Sequence, residues 1–241
     1  MATTEPFVES AYIAETDIKT VRDKYATCIY LKSKHGSLKL MMAIRLLGLI
    51  HSTLLNIALF YKYKYKAFLR FITWAGTITF MMFASGLASS LIIYKKRNSL
   101  NLMESNFFKP WYLDLQQVCY TICGSVVLLS VYYNIVLFNL YNSVDEYDVI
   151  VSIINLLIVL TELFNNNVPV LLINFYQPFL YICLHLLFLY TYSTITKNEV
   201  EIVKFDAIFI TINLVLFLTF YVLFYTLDLF KTMCNKKPVI Y

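Results

Sequence analysis

Apolar runs of about twenty residues or more recur along this chain, separated by short polar or charged links. Crossing a hydrocarbon core of roughly 30 Å takes about 20 apolar residues in a helix. Met41–Tyr61 meets that length, and Ala67–Tyr94 follows it beyond the cationic stretch Tyr61–Lys66. Tyr112–Tyr141 is the third run, Val149–Phe175 the fourth, Pro178–Thr196 the fifth and Phe205–Phe230 the sixth. Asn165-Asn166-Asn167-Val168-Pro169 interrupts the fourth. The spacing there predicts one crossing over Ser152–Asn174, with Gln177-Pro178 turning the chain into the fifth. The pattern therefore predicts an all-α integral membrane bundle of about six transmembrane helices over residues 41–231. A segment 1–40 precedes it and a tail 232–241 follows.

Within the first forty residues, Ile18, Val21, Tyr25 and Ile29 recur at helical spacing between charged side chains. They predict a short amphipathic helix on the membrane surface or over the ends of the spans. The early glutamates Glu5, Glu9 and Glu15 disfavour a secretory signal or a mitochondrial presequence.

Composition agrees with the pattern. The chain is 59% hydrophobic and 15% charged, with five Gly and five Pro in 241 residues. Those values exclude a loop-rich all-β protein or a disordered linker. The net charge of +5 is best read as a topology signal. With six spans, the N-terminal tail carries six Lys and Arg, the second link four and the C-terminal tail three, thirteen on one side against six on the other. Cytoplasmic segments collect these cations, so both termini are expected in the cytosol. No basic segment carries a nucleic-acid-binding motif. The histidines at 35, 51 and 185 lack ligand spacing, and the five cysteines form no paired framework. Neither a metal nor another cofactor is expected.

Polar residues inside the spans carry the candidate chemistry. Arg45 and Asp228 lie near the ends of their spans and are expected to snorkel to the headgroups. His51, with Ser52 and Asn56 nearby, suits either a polar seam or a structural hydrogen bond. Thr73, Thr77, Ala84 and Ala88 share one face of the second span, widened by Gly76, Ser85 and Ser89, and that stripe suits close helix packing. In the fourth span, Asn155, Glu162 and Asn166 share a face, with Asn165 beside them. Pro169 cannot donate to the Asn165 carbonyl. His185 lies in the fifth span, with Tyr181 one turn before it.

The order of these features resembles the androgen-induced-gene family of six-span membrane proteins. The residues carrying the resemblance are MMAIRLLGLIHSTLLN, KAFLRFITWAGTITF, LQQVCYTICGSVVLLSVYYNIVLF and TELFNNNVPVLLINF. Members of that family resemble intramembrane threonine hydrolases of fatty acid esters of hydroxy fatty acids. The resemblance implies Thr73 as nucleophile. The family's histidine, upstream of a proline in the fourth span, is replaced here by Asn165 or Asn166, which then become candidate oxyanion donors. An amide is no base near neutral pH, so Glu162 or His185 is the candidate base.

The leading expectation is a threonine-dependent lipid ester hydrolase whose partners are membrane lipids, in the endoplasmic reticulum or another endomembrane. The alternatives are a non-catalytic lipid-binding or scaffold protein of the same fold, and a small transporter. Hydrolysis requires Thr73, Thr77, Glu162, Asn165 and Asn166 to line one pocket toward the non-cytosolic leaflet. Such a pocket demands a late start of the fourth crossing, with Val149–Val159 as an interfacial helix.

Overall fold

The computed structural model of the chain describes residues 25–26, 34–98, 110–141, 145–166, 168–196 and 207–235. The described residues are helical apart from short connections. The helices are α1 Lys34–Tyr63, α2 Phe71–Asn98, α3 Trp111–Tyr141, α4 Glu146–Asn165, α5 Tyr176–Thr196 and α6 Ala207–Asn235. Short 3-10 turns, Lys64–Leu69 and Leu172–Phe175, lead into α2 and α5. Six helices are long and apolar enough to cross a membrane, so the chain is a multi-pass helical membrane protein. In hydrocarbon every backbone group must bond internally, which a helix achieves by itself.

The fourth crossing departs from expectation. It runs over Glu146–Asn165 and not Ser152–Asn174, and Val149–Val159 lies inside it and is no separate interfacial helix. Proline sets the stop. Pro169 has no N–H to continue the helix and disfavours helical backbone at the residue before it. The chain accordingly turns extended at Asn166. Glu146 and Asp148 in the first turn suit the positive end of the helix dipole. The span therefore starts at the acidic link and stops at the asparagines. Most of the expected amphipathic helix around Ile18–Ile29 lies outside the described residues; Tyr25 and Ala26 are described, and both are buried.

α3 is the centre of the bundle, packed against α2, α4, α5 and α6, while α1 packs on α2 and α4. Two glycines permit close approaches. A Cβ on Gly48 of α1 would overlap the Phe83 ring of α2, and one on Gly124 of α3 would overlap the Phe224 ring of α6. The side chains of α1, α5 and α6 are mostly turned outward, with Leu47, Leu54, Leu187 and Val215 among the exposed ones.

The inward face of α2 also differs from expectation. Thr77 and Ala88 are exposed, whereas Ala75, Gly76, Thr79, Met82, Phe83, Gly86, Ser89 and Ser90 are buried. Of the expected face, Thr73 and the widening residues Gly76, Ser85 and Ser89 are buried, whereas Ala84 is half-buried and Thr77 and Ala88 point outward. Small and apolar residues surround this helix, so periodicity identifies its faces without saying which one packs inward.

Candidate functional site

α4 buries a polar face from one end to the other. Asp148, Ser152, Asn155, Val159, Glu162 and Asn166 alternate at spacings of four and three, so they form one stripe. All six are buried, and Val159 alone is apolar. Asp148 and Glu162 meet α1, Ser152 meets α3, Asn155 meets α2, and Asn166 bonds within its own segment.

At the first level, Asp148 accepts hydrogen bonds from Arg70 Nη1 at 2.9 Å, Lys62 Nζ at 3.3 Å and the Tyr63 hydroxyl. Arg70 also stacks over the Tyr63 ring, 3.9 Å from its centroid. This clasp fastens the α1–α2 connection to the start of α4. At the next level Asn134 of α3 donates to Ser152, whose hydroxyl bonds the Asp148 carbonyl at 2.7 Å. Asn155 Nδ2 then donates to Thr79 Oγ1 of α2 at 3.1 Å, and Thr79 also contacts Cys123 Sγ of α3 at 3.5 Å.

The charged centre lies further along. Arg45 is fully buried and does not snorkel. Its Nε donates to Glu162 Oε1 at 2.9 Å, Nη1 to the Gly86 carbonyl at 3.0 Å and to Ser90 Oγ, and Nη2 to the Tyr25 carbonyl at 3.0 Å. The same Tyr25 carbonyl accepts from Gln116 Nε2 at 3.2 Å, and the Tyr25 hydroxyl donates to Gln117 Oε1 at 2.8 Å. Snorkelling is favoured only where a side chain has no partner within the bundle. Here Glu162, two carbonyls and a hydroxyl supply that partnership, so burial wins. Glu162, expected as a base, is instead the counter-ion of Arg45.

The Asn166 N–H makes the last helical bond, to the Glu162 carbonyl at 3.0 Å, and side chains hold the backbone at Val168, Val170 and Leu171. Asn166 Oδ1 accepts from the Val168 N–H at 3.3 Å, Asp228 Oδ2 from the Val170 N–H at 3.0 Å, and the Tyr221 hydroxyl donates to the Leu171 carbonyl at 2.6 Å. Irregular backbone is tolerated at membrane depth where protein satisfies it in this way. Asp228 is buried beside Lys231 and also does not snorkel. Asn166 Nδ2 reaches Glu162 Oε1 at 3.4 Å. Asn165 is turned the other way and donates to the Thr161 carbonyl of its own helix at 2.7 Å. The two asparagines therefore form no joint donor pair.

Thr73 lies at the clasp end, its N–H bonded to the Arg70 carbonyl at 3.1 Å, and far from Glu162 and Asn166. Arg70–Asp148, Thr79–Asn155 and the Gly86–Arg45–Glu162 link show α2 and α4 running in the same direction. Thr73 precedes Thr79 by six residues, and Glu162 follows Asn155 by seven. At 1.5 Å per residue the separation is about 20 Å to Glu162 and about 25 Å to Asn166. The single pocket that hydrolysis required does not form. Early termination of α4 carries the asparagines to the opposite end of the bundle. Thr73 Oγ1 is buried without a hydrogen bond, and Thr77 donates to the Thr73 carbonyl at 2.9 Å.

His185 does reach the level of Thr73. Its ring lies 5.1 Å from Phe71 and 5.1 Å from Trp74, while Tyr181 donates to the Trp74 carbonyl at 2.8 Å. At 100° per residue, however, Thr73 projects about 100° away from Trp74 and about 160° from Phe71. His185 Nε2 is buried and has no hydrogen-bond partner, Thr73 included. His51 Nε2 is likewise buried and unpartnered, while Asn56 donates to the Ser52 carbonyl of its own helix.

Sequence reasoning grouped Asn155, Glu162 and Asn166 on one face, and the structure agrees. It missed Arg45, Tyr25, Gln116, Tyr120 and Asp228 as their companions. A buried cation inside a span was the available signal, since such a group needs a counter-ion. No protein-family model, no curated protein and no solved structure matches this chain.

Proposed function

We propose that this chain is a non-catalytic lipid-binding or scaffold protein of the endomembrane system, with the endoplasmic reticulum as its default location. On this reading it keeps the six-span frame of the androgen-induced-gene family that it resembles and has lost the threonine chemistry. One observation carries the reading: the Thr73 hydroxyl is buried without a hydrogen-bond partner, and helix geometry sets it about 20 Å along the bundle from Glu162 and on another side of α2 from the residues that touch His185. A threonine attacks an acyl carbonyl only when a base within reach takes its proton.

Both termini are cytosolic in this proposal. Two of the six cations counted on the opposite side, Lys62 and Arg70, are tied to Asp145 and Asp148, which supports that assignment. The test is turnover of branched and simple fatty acid esters by the purified protein in detergent. None is expected beyond that of Thr73→Ala, and Asn165→His creates none, because Asn165 is at the other end of the bundle. Hydrolysis by the wild type that disappears in Thr73→Ala overturns the reading.

A small transporter is the second reading, favoured by the polar face of α4. The apolar level at Val159 interrupts that face and ranks this reading lower. Uptake of a polar solute or of protons by proteoliposomes, abolished in Glu162→Gln, reverses the ranking.

A further inference from the structure

The cluster around Arg45 and Glu162 contains more hydrogen-bond acceptors than its donors satisfy. Glu162 uses Oε1 on Arg45 and Asn166, and its Oε2 is buried without a partner. Gln116 uses its amide N–H on the Tyr25 carbonyl, and its Oε1 is also unpartnered. One turn further along α3, the Tyr120 hydroxyl lies beside Asn166 and near the Glu162 and Asp228 carboxylates, and forms no well-directed hydrogen bond. These three residues are only 3%, 2% and 1% exposed. Arg45 can supply little more, because four of the five N–H groups of its guanidinium are committed.

The charges balance, Arg45 against Glu162 and Lys231 against Asp228. A phosphate or carboxylate ligand would add acceptors where acceptors are in surplus, and would bring an uncompensated charge into a desolvated site. An ammonium group would also leave a net charge there. A neutral hydroxyl fits both counts: it donates to one free acceptor and receives from Tyr120. Val168 bonds Asn166 and the Pro169 carbonyl lies 3.5 Å from Gln117 Nε2, while Pro169 itself is exposed.

We propose that this cluster binds the free hydroxyl of a neutral lipid, donating to Glu162 Oε2 and accepting from the Tyr120 hydroxyl. This rests on the lipid-binding reading above and names the class of lipid. Internal water offers the same hydroxyl chemistry, and the experiment separates the two sources.

Full-length protein in phosphatidylcholine nanodiscs is irradiated with photoactivatable diacylglycerol, sterol or phosphatidic acid, and the labelled peptides are mapped. Diacylglycerol or sterol is expected to label residues 116–120 and 162–170 saturably, and phosphatidic acid about tenfold less. Tyr120→Phe removes only an unpartnered hydroxyl, so its melting temperature is expected to be unchanged or raised, while labelling falls about fivefold, the value of one hydrogen bond. Labelling unchanged in Tyr120→Phe overturns the proposal and leaves water as the occupant, and equal labelling by phosphatidic acid overturns it by showing no preference for a neutral hydroxyl. Saturable labelling that maps elsewhere overturns this site but leaves the lipid-binding reading standing. Labelling no greater than that of an unrelated membrane helix overturns both.

Discussion

Arg45 of α1 and Glu162 of α4, 117 residues apart in sequence, form a buried ion pair with Nε and Oε1 2.9 Å apart. Neither charge reaches water: the side chains are 0% and 4% exposed. Removing one partner leaves the other charge uncompensated. Arg45→Met or Glu162→Leu alone is expected to cost about 3–5 kcal/mol of stability. The double variant Arg45→Met/Glu162→Leu should recover most of that loss, because it removes both desolvated charges. Melting temperatures of the four proteins in one detergent check the cycle.

Thr73 gives a prediction of opposite sign. Its hydroxyl is buried and unpartnered, so it contributes a desolvation cost and no bond. Thr73→Val keeps the shape and should leave stability equal or raise it by about 1 kcal/mol. A threonine held in place by a hydrogen bond would give a loss instead. Thermal unfolding of wild type and variant in the same detergent separates the two.

Close packing of α3 on α6 depends on a missing side chain. Gly124→Ala places a methyl group inside the Phe224 ring and is expected to cost about 1–3 kcal/mol. Phe224→Leu in the same chain makes room and should restore part of the loss. A Gly124→Ala protein that melts with the wild type refutes this account of the α3–α6 contact.

The clasp at the other end gives a prediction on charge, and the Lys62–Asp145 contact beside it one on pH. Asp148 is enclosed by Lys62, Tyr63 and Arg70, and Asp148→Asn should cost about 2 kcal/mol, given that both cations are partly solvated. Asp145 sits outside the spans with Lys62 Nζ at 2.8 Å, and that hydrogen bond holds its carboxyl below the usual range. A depressed pKa contributes stability above the unfolded value near 4 and loses it as pH falls through the folded value. The Lys62–Asp145 contact is therefore intact at neutral pH and opens only in acid. Melting curves from about pH 7 down to 3 should show a smaller acid loss in Asp145→Asn than in wild type.

Several features of this arrangement were legible in the residues. The six apolar runs became six helices, because a long apolar stretch with little Gly or Pro has few alternatives in hydrocarbon. Asn155, Glu162 and Asn166 do share a buried face, since spacings of seven and eleven close on one side of a helix. The course of the fourth span differs because Gln177-Pro178 is not the turn that ends it; Pro169, which the expected span runs through, sets its end. That proline ends the helix, and the residues after it belong to the extended segment and to α5. The α2 stripe was misoriented at Thr77 and Ala88 because its outward face is as small and apolar as its inward one.

The chain alone determined that it spans a membrane and which of its segments do so, because insertion depends on the composition of each segment locally. Tertiary structure decided where the polar groups meet. Whether Arg45 snorkels or pairs, whether Thr73 faces a base, and what Asp228 holds depend on helices brought together from distant parts of the chain. A charge in a span must find a partner or reach water, and local composition cannot specify which. The approach of α1, α3, α4 and α6 made Glu162 the partner and left Thr73 without one.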